Sequence, residues 1–259
     1  MPVVALLHRS RSLCSTLRRG LRDKKLRLKA CRSREHLDRV LGGEVVDAVV
    51  LELDRYGLDG LLEFRRLYPR IPVFLSFPFR PVDGALLSAC GERGFRDFLV
   101  EGVDKVAAAE LVAARGVTAQ RAAALADAPR LLRLTEPLQL RAWAEVLWRP
   151  DARLTTGALA RTFSVSREYL SREFGAGGAP NLKRVIDLAK VLCAADLLAN
   201  PGYTVAAVSE VLGYSSASHF AACVRRICGI APPELPRLGP QGVLARFLKG
   251  RTRSRGWRG

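Results

Sequence analysis

The chain has 259 residues, of which 42 are Lys or Arg and 25 are Asp or Glu, giving a formal net charge of +17. This length allows two domains that each bury a core, and the 49% hydrophobic content argues against a disordered chain. Residues 130–259 carry twenty basic and nine acidic residues, whereas residues 41–117 are slightly acidic. The uneven positive charge predicts a polyanionic partner.

The cysteine and histidine content predicts neither a metal site nor a disulfide framework. No C-x-x-C pair occurs, and none of the three histidines lies at ligand spacing from a cysteine. We expect buried thiols in a reducing cytosol, and no cofactor or metal. No apolar run approaches the roughly 20 residues that a membrane helix needs, and the first residues lack a signal-peptide cleavage site. We therefore expect a cytoplasmic protein. The six cysteines are Cys14, Cys31, Cys90, Cys193, Cys223 and Cys228.

Residues 1–117 alternate short apolar runs with amphipathic helical stretches. This alternation predicts a parallel sheet with crossover helices, that is, an α/β domain of the flavodoxin-like, doubly wound type. The apolar runs are VVALL, LRLKA, DAVVLEL, PVFLS and FRDFLV, and the helical stretches are 13–21, 36–41, 61–67, 86–90 and 106–112, the last ending at Gly116.

The segment DAVVLELDRYGLDG resembles the third strand and following loop of a response-regulator receiver domain, including the Gly57-x-Asp59-Gly60 that opens the next helix. The resemblance implies a receiver-type fold. It also implies a pocket at the strand ends, but the residues of this chain depart from the family's pattern there.

Only one of the five positions of this pocket keeps the residue type that the resemblance implies, namely the small hydroxyl residue Ser76. Glu52 occupies the place of the phosphoacceptor aspartate. His8 and Arg9 stand in place of the acidic metal-binding pair, and Glu101 replaces a lysine. Mg²⁺ needs several oxygen ligands, so an imidazole and a guanidinium abolish the metal site. We therefore expect no phosphorylation. We expect instead that Arg9 pairs with Glu52 and holds a fixed conformation, as a permanent phosphate would.

Two further segments have a distinctive composition, one within this domain and one after it. Residues 1–40 carry twelve basic and three acidic residues, concentrated in RRGLRDKKLRLK. Such a run is either a solvated face or an auxiliary contact to DNA or to an acidic partner. Residues 118–134 are alanine-rich with a break near Pro129, which predicts a helical linker between domains.

Residues 135–238 are predicted to form an all-α domain that contains one helix-turn-helix pattern twice. A helix begins near Pro137, with Leu140, Trp143 and Leu147 as its buried stripe. In the first pattern, residues 159–163 form a helical stripe, residues 163–166 a tight turn with Ser166 as N-cap, and Leu170 and Phe174 bury the next helix. In the second, the stripe is Val205, Val208 and Leu212, the turn is 213–216, and the following helix is buried by Phe220, Val224 and Ile227 before Gly229 ends it.

At these residues the chain resembles the AraC/XylS family of transcription activators, most closely in TVAAVSEVLGYSSASHFAACVRRICGIAP. Two departures are visible, because Val224 replaces an aromatic residue and Pro236 stands where a tyrosine-arginine ending is usual. LQLRAWAEVL resembles the helix ahead of the first pattern, and Lys190-x3-Ala194-x2-Leu197 the connecting-helix signature. The residues that match the second pattern of the family are Val205, Val208, Gly213, Tyr214, Ser218, Phe220, Arg225, Gly229 and Pro232.

In a helix-turn-helix the second helix enters the major groove, so its exposed face supplies the base contacts. In the first pattern this face is predicted to be Arg167, Glu168, Ser171 and Arg172. Arg172 matches a base-contacting position of the family, and arginine can bind both acceptors of a guanine. Glu168 either accepts a hydrogen bond from cytosine or is a surface residue.

In the second pattern the predicted face is small and mostly apolar: Ala217, Ser218, His219 and Ala222. We expect weak sequence reading there, with phosphate contacts from Arg225 and Arg226 near the helix end. His219 is either a DNA contact or a surface histidine. The connecting helix 182–198 would be about 25 Å long, which suits two recognition helices in successive grooves.

After Leu238 the periodicity is lost, and residues 239–259 carry six basic residues and no acid. We predict a flexible basic tail that adds nonspecific attraction to phosphates.

The leading interpretation is a DNA-binding transcription regulator, not an enzyme, whose receiver-like domain serves dimerisation or partner contact. Its partners are double-stranded DNA, a second copy of the chain and, as the family resemblance implies, RNA polymerase. One alternative is a phosphorylation-gated response regulator. Another is a DNA-repair enzyme with a methyl-accepting cysteine, which would need an activated thiolate.

Overall fold

The computed structural model describes residues 1–78, 80, 84–102, 107–151 and 154–251, and for residue 251 the backbone alone. The chain divides into two compact units, residues 1–120 with 200–202 and residues 121–199 with 203–259. No helix in the described ranges is long and apolar enough to cross a membrane.

The first unit contains a five-stranded parallel sheet in the order β2-β1-β3-β4-β5. This is the flavodoxin-like order, so the predicted fold class is confirmed. The two central strands are buried along their whole length, as expected for a sheet covered on both faces. The strands are β1 Val3–Leu7, β2 Arg27–Cys31, β3 Val46–Glu52, β4 Val73–Phe77 and β5 Asp97–Val100.

The first two helices of this unit begin at serine capping residues. Ser10 accepts a hydrogen bond from the backbone N–H of Leu13, and Ser33 accepts one from that of His36. Gly57, with φ of 71°, joins the short third helix to the fourth, a conformation that glycine adopts without strain. The helices are α1 Arg11–Asp23, α2 Arg34–Gly43, α3 Leu53–Tyr56, α4 Leu58–Leu67, α5 Gly84–Glu92 and α6 Ala107–Arg115. Val106, which we predicted to begin the last of these, lies outside the described residues.

The second unit is helical, as predicted. α7 (Val117–Ala124), which crosses the boundary at residue 120, and α8 (Ala128–Leu131) occupy the predicted linker, which is not an exposed connector, because Leu125 and Leu132 are buried. The remaining helices are α9 Pro137–Trp148, α10 Thr156–Thr162, α11 Arg167–Phe174, α12 Leu182–Leu198, α13 Val205–Val211, α14 Ala217–Cys228 and α15 Leu235–Arg251, the last with a kink at Gly239.

The prediction of a flexible tail is wrong for residues 239–251, because these residues form most of α15. This helix packs against α12 and α14, and buries Val243, Leu244 and Phe247. The reason lies in α12, which is apolar on nearly all sides rather than on one stripe. Its second side needs a cover, and the apolar positions of α15 supply it. Residues 252–259 of the predicted tail lie outside the described residues.

Candidate functional site

The first helix-turn-helix is α10 and α11, joined by a turn in which Ser164 has φ of 55°. Ser166 caps α11 by accepting a hydrogen bond from the backbone N–H of Tyr169 at 3.0 Å, as predicted. Leu170 and Phe174 are fully buried beneath the helix. The four residues predicted to face DNA are all exposed on α11: Arg167, Glu168, Ser171 and Arg172.

Arg172 stands out on this face, with 73% of its side chain exposed. Its guanidinium lies 5.6 Å from the centre of the Tyr169 ring, and its Nε is 3.3 Å from Glu173 Oε1. Both neighbours are on the surface, so these contacts orient the guanidinium but leave its donors available to a ligand.

A buried amide that the sequence pattern does not reveal holds α11 in place. Gln139 of α9 is 1% exposed, and its Nε2 donates to the backbone oxygens of Glu173, Phe174 and Ala176 at 3.3, 3.0 and 3.1 Å. Its Oε1 accepts hydrogen bonds from the backbone N–H groups of Thr135 and Glu136. One side chain therefore satisfies orphan groups at the start of α9 and at the end of α11.

The predicted buried stripe of α9 is partly wrong for the same reason. Leu140 is 41% exposed, while Trp143 and Leu147 are buried as expected. The buried face is shifted by one residue toward Gln139, because the hydrogen bonds of its amide offset the cost of burying a polar group.

The second helix-turn-helix is α13 and α14, joined at Gly213, with φ of 70°. Ser216, which was predicted only as part of the turn, accepts a hydrogen bond from the backbone N–H of His219 at 3.1 Å and caps α14. Gly229 ends the helix in the left-handed conformation, as predicted. Phe220, Val224 and Ile227 are buried. The predicted DNA-facing residues Ala217, Ser218, His219 and Ala222 are all exposed.

His219 has neighbours on its own motif. Its Nδ1 lies 3.0 Å from Ser215 Oγ, and its ring packs edge-on against Tyr214 at 5.4 Å between centroids. These contacts hold the imidazole at the turn, where it presents the rest of its edge to solvent.

The two arginines near the end of α14 differ in their surroundings. Arg226 NH2 lies 2.8 Å from Asp187 Oδ2 of α12, so part of its charge is already neutralised within the protein. Burial raises the pKa of Asp187, and the neighbouring Arg226 opposes that shift. Arg225 is exposed. The ion pair therefore competes with the phosphate contact that we predicted for Arg226.

A second contact from α12, made by Lys190, fixes the turn between α13 and α14. Lys190 Nζ donates to the backbone oxygen of Leu212 at 3.0 Å and lies 5.4 Å from the centre of the Tyr214 ring. Burial lowers the pKa of Lys190. Asp187 and Lys190 were not among the predicted functional residues. The available signal was two charged residues three apart on a helix that is otherwise apolar.

The receiver-like pocket lies at the carboxyl ends of the parallel strands. Glu52, at the end of β3, accepts a hydrogen bond from the backbone N–H of Arg9 at 3.0 Å, and Arg9 Nε lies 3.8 Å from the same oxygen. The Glu52 side chain is 11% exposed and that of Arg9 69% exposed. The guanidinium is thus at the rim, with its Nε toward the carboxylate.

His8 and Glu101 form the other half of this pocket. His8 Nδ1 accepts a hydrogen bond from the backbone N–H of Ser10 at 2.8 Å, so the imidazole hydrogen is on Nε2, which lies 3.0 Å from Glu101 Oε1. The His8 side chain is 1% exposed. Ser76 of β4 pairs in register with Glu52 of β3, and its buried Oγ has no hydrogen-bond partner among the described residues. The structure thus brings all five predicted pocket residues to this end of the sheet.

None of the six cysteines forms a disulfide; five are buried, as predicted, and Cys14 is half-buried. Burial raises the pKa of Cys31 to about 11 and that of Cys228 to about 12. The pKa values of Cys90 and Cys223 are raised for the same reason. Such thiols stay protonated near neutral pH, the opposite of an activated nucleophile. Within the described ranges, no group of three or more His, Cys, Asp or Glu residues is placed to hold a metal ion.

Three solved structures are similar to this chain, each with a TM-score too low to establish a shared overall fold. The C-terminal domain of AraT, a response regulator from Geobacillus stearothermophilus, is 22% identical, with 39% of this chain and 85% of that chain covered and a TM-score of 0.36. Full-length FixJ from B. japonicum is 16% identical, with 76% and 97% covered and a TM-score of 0.38. The xylose-binding transcription activator xylR is 13% identical, with 91% and 70% covered and a TM-score of 0.37.

Among curated proteins, no sequence matches this chain. Residues 159–237 match the family model described as a helix-turn-helix domain. The matched range begins within α10 and ends within α15, and so includes both recognition helices and α12 between them. Residues 159–237 therefore form a helix-turn-helix domain of the AraC type.

Proposed function

We propose that this protein is a sequence-specific transcription regulator in which α11 and α14 enter successive major grooves of one duplex. The observation that carries the proposal is that both helices are tied to a common scaffold. Gln139 holds the end of α11, and Asp187 and Lys190 hold α14 and its turn. Recognition helices that are fixed before binding lose little conformational freedom when they meet DNA.

The two helices have different roles in this proposal. α11 reads bases, because Arg167 and Arg172 extend from a capped helix into solvent and arginine can bind guanine through two hydrogen bonds. α14 brings mainly small side chains to its groove, which permits close approach to the DNA. Arg225 then supplies a phosphate contact that positions the domain without specifying sequence.

The receiver-like unit acts in this proposal by contact rather than by phosphoryl transfer. The place of an incoming phosphoryl group is taken by the pairs of Glu52 with Arg9 and of Glu101 with His8. At the positions that the resemblance assigns to the acidic pair stand His8 and Arg9, which offer no carboxylate to Mg²⁺, and Glu101 places an acid where a cation would be needed. The unit would therefore hold one fixed conformation and serve dimerisation or binding of a partner.

The experiment that tests DNA reading uses the full-length protein and a duplex selected from genomic fragments. We expect binding to that site well above binding to random duplex, falling steeply as salt rises. Arg172→Ala should cost about 1–3 kcal/mol at the selected site and relax the preference at one base pair. Arg225→Ala should weaken all sequences alike.

Equal affinity for the selected and the random duplex would refute the proposal. If both substitutions weakened every sequence equally, the assignment of base reading to Arg172 and of phosphate binding to Arg225 would be wrong.

A further inference from the structure

The first helix of the receiver-like unit carries an arginine stripe that the functions above do not use. Arg11, Arg18 and Arg22 are all exposed on α1. At about 100° per residue, Arg18 lies roughly 20° around the helix from Arg11, and Arg22 about 40° from Arg18. The three guanidinium groups therefore line one face over about 16 Å of helix. We call these three residues the arginine stripe.

The arginine stripe has no acidic partner within the described part of the chain. Other cations around it are neutralised: Lys24 lies 3.4 Å from Glu110 of α6, and both Arg27 and Lys29 pair with Glu44. Within the stripe, Arg18 NH2 donates a weak hydrogen bond to Cys14 Sγ at 3.4 Å. Three nearby cations are thus paired with acids, whereas the stripe and the neighbouring exposed Arg19 have no ion pair among the described residues.

The charges of the arginine stripe favour its helix only in part: Arg22 lies in the last turn, where a cation is favourable, but Arg11 lies in the first turn, where it is not. Arg18 and Arg22 are four residues apart, a spacing at which like charges repel, whereas an acid at either position would form a favourable pair. α1 contains a single acid, Asp23, at its last residue. A merely solvated helix face would gain from mixed charge, so the stripe fits an external polyanion better than it fits the needs of the fold.

We propose that the arginine stripe of α1 binds the phosphate backbone of duplex DNA. This inference rests on the proposed function in one respect, because the helix-turn-helix domain would raise the effective concentration of DNA near the stripe. Arginine suits phosphate because its planar guanidinium offers paired donors. The contact would be independent of base sequence and would extend the DNA footprint beyond the two recognition helices.

The test measures the salt dependence of DNA affinity for the full-length protein carrying Arg11→Gln, Arg18→Gln and Arg22→Gln together. Each lost phosphate contact lowers the slope of log affinity against log salt by about 0.9, so we expect a decrease of about 2–3 on a long duplex. A variant with Lys at the same three positions keeps the charge and should retain the slope. The matched control removes three exposed arginines of the same unit that lie off α1: Arg39→Gln, Arg66→Gln and Arg96→Gln.

A stripe variant that keeps its circular dichroism spectrum and has the slope of the wild type and of the control would overturn the proposal. So would a variant that loses affinity for an acidic polypeptide such as polyglutamate but none for DNA. The measurement is made on both random and selected duplex, because phosphate contacts do not depend on sequence. If the wild type bound selected and random duplex equally, only the proposed function would be refuted. If the wild type were selective but the stripe variant had the same salt slope, only the stripe proposal would be refuted.

Discussion

The amide nitrogen of Gln139 lies 3.0 Å from the backbone oxygen of Phe174, the last residue of the first recognition helix. A side chain of α9 thus terminates the helix that we assign to base reading. The position of α11 depends on this buried amide as well as on apolar packing.

Gln139→Glu is expected to lower the free energy of unfolding by about 1–3 kcal/mol, because a carboxylate cannot donate to the three carbonyl oxygens. Specific DNA affinity should fall more than nonspecific affinity, since the orientation of α11 is disturbed. Urea unfolding and binding to selected and random duplex measure the two effects. Leu140→Gln, at the exposed neighbouring position, should change stability by no more than about 0.5 kcal/mol. Equal stability of the two variants would contradict the role of Gln139.

Phe247→Ala is expected to destabilise the helical unit by about 3–5 kcal/mol, because Phe247 is fully buried in α15. Gln241→Ala on the exposed side of the same helix is the control and should have little effect. Denaturant unfolding of both variants gives the comparison. Similar midpoints would mean that α15 does not cover α12 in solution.

Phosphodonors are expected to leave this protein unmodified. The Glu52 carboxylate already pairs with Arg9. Glutamate has one methylene more than aspartate, which displaces its oxygens by about one carbon–carbon bond from in-line geometry. Intact mass and DNA affinity should be unchanged after incubation with acetyl phosphate and Mg²⁺. A gain of one phosphoryl group with altered affinity would instead favour a phosphorylation-gated regulator. Glu52→Gln breaks the ion pair, and loss of DNA binding without unfolding would mean that the pair holds the active conformation.

Thiol reagents are expected to modify Cys14 in the native protein near pH 8 and all six cysteines after unfolding. Burial raises the pKa of Cys228 from 9.0 to about 12, so the folded state keeps a proton that the unfolded chain releases. This stabilising contribution is complete below pH 9 and is lost as pH rises toward 12. Rapid native modification of Cys193, Cys223 or Cys228 would revive the methyl-acceptor alternative.

Self-association is expected to use the half-buried Phe98 and Leu111 of the receiver-like unit. Val112 of the same helix is fully buried within the unit and cannot contribute to this face. Sedimentation of the full-length protein should show a concentration-dependent dimer at tens of micromolar. Leu111→Glu should abolish it and Arg66→Glu should not. A wild-type protein that stays monomeric would refute the dimer.

The sequence by itself determined the elements whose pattern repeats along the chain. Alternating apolar runs predicted the parallel sheet, because each buried strand is a continuous apolar segment. The capping residues Ser166 and Gly229 predicted one end of each recognition helix, because caps act through the backbone of adjacent residues. The exposed faces of α11 and α14 followed from helical periodicity alone.

Tertiary structure alone decided which polar groups could be buried and which apolar ones needed a cover. Gln139 looks like a surface residue until the carbonyl oxygens at the end of α11 are placed beside it. The segment after Leu238 looks mobile until the second apolar side of α12 is placed against Val243, Leu244 and Phe247. The pairing of Asp187 with Arg226 joins residues 39 apart in the chain. Local patterns do not encode such contacts, because their stabilisation comes from partners that only the folded chain brings together.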